Sequence, residues 1–131
     1  MDILSKEFQE EVKAKLKIDD VQKACFENLS VQHFYFQLLI ECKSKMRDVI
    51  ENLDAVYQEL YHYYKFEYSF QLKSKDELET YIKNNEKYKK INKTYQLKKL
   101  EEEVLTETVQ MFRNRSWAIS NILKFQELEK K

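Results

Sequence analysis

The sequence predicts a mainly α-helical protein whose long helices form a hairpin or coiled-coil-like bundle and assemble as a homo-oligomer. Glycine and proline are both absent from the 131 residues, so the usual helix breakers are missing. Hydrophobic residues make up 43% and charged residues 35%, which is typical of a globular or coiled-coil chain rather than a disordered one. Apolar residues also recur in a heptad pattern over residues 35–63, which predicts that helices pack against each other.

The first half of the chain contains a short helix and then a long one. The helix predicted over 1–17 has an apolar residue at every fourth position: Leu4, Phe8, Val12 and Leu16. Asp19 and Asp20 interrupt that pattern, and either one can cap the long helix predicted over 20–64. Its apolar seam steps by four and three residues over four heptads: Tyr35, Leu39, Cys42, Met46, Val49, Leu53, Val56, Leu60 and Tyr63. Such a seam is a specific signal for helix-on-helix packing.

A connector with mixed signals is predicted over 65–85. Apolar Phe66, Tyr68, Phe70 and Leu72 alternate with polar residues, which predicts a short strand or an extended stretch over 66–72. Ser74 and Glu77 fit a capping box that opens a short helix. Asn84-Asn85 then separates this helix from a C-terminal helix predicted over 86–128.

The C-terminal helix has a broad apolar face, which predicts the surface for assembly. The candidate oligomerisation residues are Val104, Leu105, Met111, Phe112, Ala118, Ile119, Ile122 and Phe125. A compact chain of this length is roughly 36 Å across, whereas a 45-residue helix is roughly 67 Å long. Two such helices cannot both lie inside one small globule. They form a long hairpin or pack against other copies, and the broad face favours a single helical domain (1–131) that self-assembles.

A basic segment in the middle of the chain is the candidate nucleic-acid site. Net charge is zero, from 23 basic and 23 acidic residues, which argues against an indiscriminate polyanion binder. Residues 71–99 nevertheless contain nine basic and four acidic residues. Lysines there would neutralise phosphates, and exposed tyrosines would stack on unpaired bases. The candidate DNA-binding residues are Lys65, Lys73, Lys75, Lys83, Lys87, Lys89, Lys90, Lys93, Arg113, Arg115 and Tyr88.

An alternative interpretation of the same segment is a solvated lysine face with its tyrosines in the core. Taken alone, the pattern favours that alternative. Arg113 and Arg115 beside Trp117 share the ambiguity, and we expect Trp117 to be a packing residue rather than a stacking platform.

Signatures of catalysis and of metal binding are weak. Rossmann and P-loop sites need glycine and are excluded. Glu59 and His62 have the spacing found in carboxylate-bridged metal helices, but a local pair on the helix surface is the favoured interpretation. A serine or cysteine nucleophile would have only His33 or His62 as a partner, and neither lies in a recognisable motif. We predict a non-enzymatic protein without a cofactor or a metal.

The two cysteines and the N-terminus indicate an intracellular protein. Cys25 and Cys42 would lie roughly 25 Å apart on one helix, too far to form a bond, so we expect both to be reduced and half-buried. The sequence shows neither a signal peptide nor an apolar run of membrane-spanning length. We therefore expect a cytoplasmic protein that does not bind a membrane.

The order and spacing of these elements resemble the UvsY-like family of phage recombination mediators over nearly the full length. Residues 8–13, followed by Ile18-Asp19, look like the family's opening helix and its stop. Tyr63-Tyr64 matches a Tyr-Tyr of the family at the end of the long helix. Residues 112–119 are similar to its closing segment, in which an arginine precedes a small residue, an aromatic residue and, two further on, an isoleucine.

The resemblance implies a non-enzymatic accessory factor in recombination, recombination-dependent replication and repair. Its members form rings of six or seven subunits through the C-terminal region and bind single-stranded DNA. They contact a single-strand-binding protein and a RecA-like recombinase, and they help the recombinase replace that protein. For this chain the resemblance implies those partners in the cytoplasm of a phage-infected bacterium.

Two departures from the family pattern affect the DNA site. The family has lysine or arginine before its Tyr-Tyr, whereas this chain has Gln58-Glu59-Leu60-Tyr61-His62 there, so that contact does not carry over. The family tends to have glycine after the Tyr-Tyr, whereas Lys65-Phe66 follow here. The resemblance therefore leaves open a shift of the DNA contact to Lys65 and the lysines of 73–93. A coiled-coil scaffold that binds no nucleic acid is the alternative function.

Overall fold

The computed structural model describes residues 1–70 and 74–130, and within them the chain is mainly α-helical, as predicted. The helices are α1 (Lys6–Leu16), α2 (Val21–His62), α3 (Lys75–Asn84) and α4 (Glu86–Glu129). A π-helical turn, Tyr63–Glu67, continues α2 without a break. Cys25 and Cys42 both lie on α2, where Cys25 is exposed and Cys42 is buried rather than half-buried.

Side-chain caps explain where the four α-helices begin. In each case an oxygen of a short polar side chain accepts a hydrogen bond from a backbone N–H of the first turn, which no carbonyl of the helix can reach. The caps are Ser5 for α1, Asp20 for α2, Ser74 for α3 and Asn85 for α4. The capping role of Ser74 is confirmed, and the two aspartates are resolved in favour of Asp20.

Of the two alternatives predicted for the connector, the strand is wrong for the residues that the structure describes, whereas an extended backbone is present at Tyr68. Phe66 and Glu67 belong to the π-helical turn, which the N–H of Tyr68 closes by donating to the carbonyl oxygen of Tyr63 at 2.9 Å. Tyr68 then has an extended backbone, and Leu72 lies outside the described residues. The chain between residues 63 and 70 pairs with no second strand, so continuing the helix satisfies backbone groups that a lone strand would leave unpaired.

The chain divides into two compact units, each with its own hydrophobic cluster, while the single domain over 1–131 stays a prediction. Unit 1 comprises residues 1–42 and 100–131. Its core joins α1, the first half of α2 and the second half of α4: Ile3, Phe8, Val12, Tyr35, Leu39, Cys42, Leu105, Val109 and Phe112. The Tyr35 ring stacks on Phe112 at 5.1 Å between centroids and meets the Phe8 ring edge-on at 5.8 Å.

Unit 2 comprises residues 43–99 and contains most of the candidate DNA-binding residues. Val56 and Leu60 of α2 are buried against Leu78 and Ile82 of α3. Half-buried residues surround this cluster: Tyr57, Tyr61, Tyr64, Tyr88 and Ile91. Seam positions of α2 are therefore buried in both units, which confirms the helix-packing role that the heptads predict.

No helix in the described part of the chain combines the length and the apolar character needed to cross a membrane.

Candidate nucleic-acid interface

The first turns of α4 separate a packed tyrosine face from a lysine face. Tyr88 and Tyr95 are half-buried, whereas Lys89, Lys90 and Lys93 are exposed. Residues three and four apart are neighbours on a helix, so Lys93 lies beside both Lys89 and Lys90. These three residues form a continuous cationic surface, which we call the lysine face.

Lys87 is in the same stretch but is occupied by a partner. Its Nζ lies 3.1 and 3.2 Å from the two carboxylate oxygens of Glu59 on α2. Both side chains are more than half exposed, so the pair itself contributes little to stability. Glu59 nevertheless neutralises the charge that Lys87 would offer to a phosphate, which leaves Lys87 a weaker candidate than its neighbours.

The remaining predicted lysines lie at the other elements of unit 2. Lys75 begins α3 and Lys83 lies in its last turn, and both are exposed. Lys65 is in the π-helical turn, where its Nζ donates to the Tyr61 hydroxyl at 3.1 Å and lies 5.5 Å from the Phe66 ring centroid. The prediction for Lys73 falls outside the described residues.

The two arginines predicted from unit 1 have different surroundings. Arg113 is exposed, but Arg115 is only 8% exposed. The Arg115 guanidinium donates to Asn28 Oδ1 at 3.0 Å and to the Lys17 carbonyl oxygen at 3.3 Å. These bonds connect α4 to α2 and to the end of α1, so Arg115 holds unit 1 together and has little surface for a phosphate.

Two aromatic predictions change with the structure. Tyr88 is half-buried and meets the Tyr57 ring at 6.3 Å, so part of its ring packs between helices, which leaves less of it for a ligand than the sequence predicts. Trp117, expected to be a packing residue, is 71% exposed within the chain. A packing role for Trp117 would require a surface outside this chain.

A cluster of rings follows the end of α2, and the sequence analysis did not select it as a site. Its centre is Tyr68, whose ring centroid lies 5.2–6.0 Å from those of Tyr63, Tyr64, Phe70 and Tyr81. We call these five residues the aromatic tip. Its only sequence signal is the run of alternating aromatic residues that also suggests a strand, with Tyr81 added from α3.

The environment of Tyr68 in the aromatic tip favours its neutral phenol. Desolvation raises the pKa of Tyr68, and the nearby phenols of Tyr81, Tyr64 and Tyr63 raise it further. At neutral pH the Tyr68 phenol therefore adds no negative charge that would repel a polyanion.

An open cavity of about 700 Å³ lies beside the aromatic tip, within unit 2. Its lining combines aromatic, polar and acidic side chains: Glu59, Leu60, His62, Tyr63, Tyr64, Glu67, Tyr68 and Asn85. The Asn85 amide donates to the Tyr64 hydroxyl at 3.0 Å, which fixes one ring of the wall relative to the start of α4.

The Glu59–His62 pair expected on the helix surface does not form. Glu59 pairs with Lys87 instead, and His62 Nδ1 lies 4.0 Å from Glu67 Oε1. Helical spacing predicts neighbours on the same helix and carries no signal for the approach of Lys87 on α4 to Glu59. Among the described residues, no group of three or more potential metal-binding side chains comes together.

The predicted assembly residues occupy two adjacent stripes of α4 in unit 1. Leu105, Phe112 and Ile119 recur every seven residues and are buried inside the unit. A second stripe with the same period is half-buried or exposed: Val104, Met111, Ala118 and Phe125. Ile122 is half-buried. We call the second stripe, without Ile122, the outer stripe. It is the part of the predicted face that a second copy could reach.

Comparison with known proteins shows which fold this chain shares. No protein-family model and no curated protein matches this chain significantly. Crystal structures of the bacteriophage T4 recombination mediator protein UvsY do match, with a TM-score of 0.84 for lattice type II and 0.83 for type IV. The chain has the UvsY fold. The type II match covers 95% of this chain and 96% of the UvsY chain at 18% identity, and the type IV match covers 98% and 99%.

The match to UvsY confirms the resemblance at the level of the fold. It extends over nearly all of both chains, and a third crystal form of T4 UvsY gives a TM-score of 0.83 over 95% of this chain. At 18% identity the side chains on the surface differ at most positions, so the binding surfaces have to be argued from the residues of this chain.

Proposed function

We propose that this protein is a non-enzymatic recombination mediator that binds single-stranded DNA and helps a RecA-like recombinase replace a single-strand-binding protein. The supporting observation is the UvsY fold, matched at a TM-score of 0.84 over 95% of the chain. In this proposal the protein acts in phage homologous recombination, recombination-dependent replication and repair, in the cytoplasm of the infected host. Its partners are the DNA strand, the recombinase and the single-strand-binding protein.

The lysine face supplies the proposed contact with the DNA backbone. Lys89, Lys90 and Lys93 are exposed, and in the described part of the chain no acidic side chain forms a salt bridge with any of them. Release of condensed counterions from the phosphates then favours binding without reading any sequence. Lys65, Lys75 and Lys83 extend the contact within unit 2, and the exposed Arg113 is a further candidate.

Self-assembly turns several weak contacts into a tight one. Six lysines on a chain of zero net charge give modest affinity, but copies joined through the outer stripe would bind one strand multivalently. A ring of six or seven subunits, as the family resemblance implies, would bring that many lysine faces to the same strand. Wrapping the strand in this way would compete with the single-strand-binding protein and offer the DNA to the recombinase.

A salt titration of a labelled single-stranded oligonucleotide tests the proposal. If each contact region neutralises about five phosphates, the logarithm of the association constant falls with the logarithm of salt concentration at a slope near −3.5. The same titration with bovine albumin in place of this protein controls for adsorption. A slope near zero, or no binding at low salt, would contradict the DNA-binding part of the proposal.

A coiled-coil scaffold that never contacts DNA is the second candidate function. The outer stripe and the zero net charge favour it. It predicts full assembly together with a flat salt titration, so the same measurement separates the two candidates.

A further inference from the structure

Four of the rings in the aromatic tip surround the half-buried Tyr68, and some of these four keep exposed surface. Tyr64 and Tyr68 meet at 69° between ring planes, and Tyr68 meets Phe70 at 58° and Tyr81 at 57°. In such edge-to-face and tilted contacts the edge of one ring lies against part of its neighbour's face, and the ring planes do not stack. Tyr63 is 42% exposed and Phe70 is 70% exposed, so part of this ring surface is open to a planar ligand.

The adjacent cavity has a suitable size for a small aromatic group and a lining that discriminates among ligands. Its volume of about 700 Å³ lies within the range of small-ligand sites. Tyr63, Tyr64 and Tyr68 belong to both the aromatic tip and the cavity wall. A ligand that enters the cavity therefore meets the rings directly.

The acidic side chains of the lining determine which part of a nucleotide enters. Glu59 is paired with Lys87, but Glu67 would repel a phosphate, and its carboxylate oxygens can accept hydrogen bonds from the amino groups of a base. Every base has a π-face that stacks on an aromatic ring. The lining thus favours the base over the phosphate of the same nucleotide.

A cation beside the aromatic tip is placed for the phosphate that stays outside. Lys65 Nζ lies 5.2 Å from the Tyr61 ring centroid and 5.5 Å from that of Phe66, and Lys65 is exposed and is not part of the cavity lining. A strand whose base occupies the cavity can hold its phosphate against this ammonium group. Charge and shape therefore agree on one occupant, an unpaired nucleotide.

We propose that the aromatic tip and its cavity bind an unpaired nucleobase of the single strand, stacked on the exposed rings of Tyr63 and Phe70 with its phosphate near Lys65. This rests on the proposed function, because it assumes that the strand reaches unit 2. It adds a contact that recognises bases, whereas the lysine face contacts phosphates alone. A protein engaging both surfaces distinguishes single-stranded from double-stranded DNA, since only unpaired bases are available to stack.

The test compares two strands that differ only in their bases. Full-length protein is titrated with an adenine-rich single strand of about 20 nucleotides, and with a strand of equal length whose sugars lack bases. We expect the abasic strand to bind about tenfold more weakly at the same salt concentration. Equal affinities with a normal salt slope would overturn this inference and leave the proposed function standing. No binding of either strand would overturn both.

A protein variant makes the assignment to the aromatic tip specific. The double variant Tyr63→Ala with Phe70→Ala removes exposed rings outside the buried core of unit 2. We expect it to bind the adenine-rich strand about tenfold more weakly and the abasic strand as well as the unaltered protein does. Phe26→Ala, which removes an exposed ring of unit 1, is the matched control and should bind both strands normally.

Two further outcomes of the variant experiment are informative. Restored affinity in the conservative variant Tyr63→Phe with Phe70→Tyr would support stacking, because the rings are kept. If the alanine variant binds both strands normally but no longer binds the recombinase, the inference is overturned and the aromatic tip belongs to a protein interface. Circular dichroism of each variant confirms that the helices are intact.

Discussion

Arg115 and Lys87 have the same charge as the exposed lysines of unit 2, yet both are engaged within the chain. Arg115 is buried between Asn28 and the Lys17 carbonyl, and Lys87 is paired with Glu59. A cation that is already compensated gains less from a phosphate than one that faces water. At the residue scale, burial therefore makes Arg115, and pairing makes Lys87, a weaker candidate for DNA contact than the exposed lysines without an acidic partner.

Substitution of Arg115 should lower stability rather than DNA affinity. Arg115→Ala leaves the Asn28 amide buried without its charged partner, which costs about 2 kcal/mol in the free energy of unfolding. Urea denaturation followed by circular dichroism measures this loss. Arg113→Ala, an exposed neighbour, is the control and should change stability by less than about 0.5 kcal/mol. Unchanged stability of the Arg115 variant would refute the structural role.

Tyr35 gives unit 1 a pH dependence of known sign. Burial raises the pKa of the Tyr35 phenol above its ordinary value near 10, and the Lys15 ammonium, 5.3 Å from the ring centroid, opposes part of that rise. A raised pKa means that the folded state favours the neutral phenol. The contribution is complete below about pH 10 and is lost as the pH rises through the folded-state pKa.

The variant Tyr35→Phe isolates this effect. The Tyr35 hydroxyl is buried and accepts or donates no hydrogen bond within the described residues, so its removal should leave stability at neutral pH unchanged or slightly higher. Between about pH 8 and about pH 10.5, the free energy of unfolding should fall less for Tyr35→Phe than for the unaltered protein. Equal losses would show that Tyr35 does not contribute to the alkaline sensitivity.

At the scale of elements, the aromatic tip shows that an alternating sequence pattern can predict the wrong backbone, and the lysine face shows that helical spacing can predict the right one. The aromatic residues after Tyr64 follow a strand-like pattern, but Phe66 lies in a π-helical turn with its ring 5.1 Å from that of His62, and Tyr68 and Phe70 contact each other beyond that turn. Alternation of aromatic residues does not determine which backbone conformation brings their rings together. By contrast, the lysine face follows from helical spacing alone, because Lys89, Lys90 and Lys93 share one side of α4.

Reversing the charge of the lysine face should weaken DNA binding without affecting assembly. In Lys89→Glu, Lys90→Glu with Lys93→Glu, three attractive contacts become repulsive, so affinity for single-stranded DNA should fall at least about tenfold at low salt. Fluorescence anisotropy measures the affinity, and light scattering confirms the mass. The matched control reverses three exposed lysines of unit 1, namely Lys6, Lys23 and Lys124. Equal losses in both variants would place the DNA elsewhere or show a general charge effect.

At the scale of the whole molecule, the outer stripe is the feature that a single chain leaves unexplained. Met111 is 45% exposed and Phe125 is 62% exposed, and both recur with the seven-residue period of Val104 and Ala118. An apolar heptad stripe on a helix surface is the pattern by which helices pair. We expect a second copy of this chain to cover it.

Negative charges placed on the outer stripe should therefore dissociate the predicted homo-oligomer without unfolding the helices. Met111→Glu with Phe125→Glu should reduce the mass measured by light scattering, while the helical circular dichroism signal is retained. The control Ile50→Glu alters an exposed apolar residue of unit 2 and should keep the full mass. An unchanged mass for the double variant would place the interface elsewhere, for example along the α2 seam.

Much of the architecture was determined by the sequence alone. The absence of glycine and proline, the four-three spacing and the short polar caps act within a few turns of the chain, so they specify helices without reference to distant residues. The break at Asn84-Asn85 and the cap at Ser74 are of this local kind, and both are present. The UvsY fold could be anticipated because the order of such local elements is itself a signature.

Only the tertiary structure decided which side chains remain available. Leu105 and Arg115 are buried, whereas Val104 is half-buried and Arg113 is exposed. Lys87 is paired with Glu59, whereas Lys90 has no acidic partner among the described residues. These differences depend on which helix packs against each side of α4. The aromatic tip likewise requires Tyr81 of α3 to meet Tyr68 across the connector. Burial and pairing arise from contacts between residues far apart in the chain, and helical periodicity carries no information about those contacts.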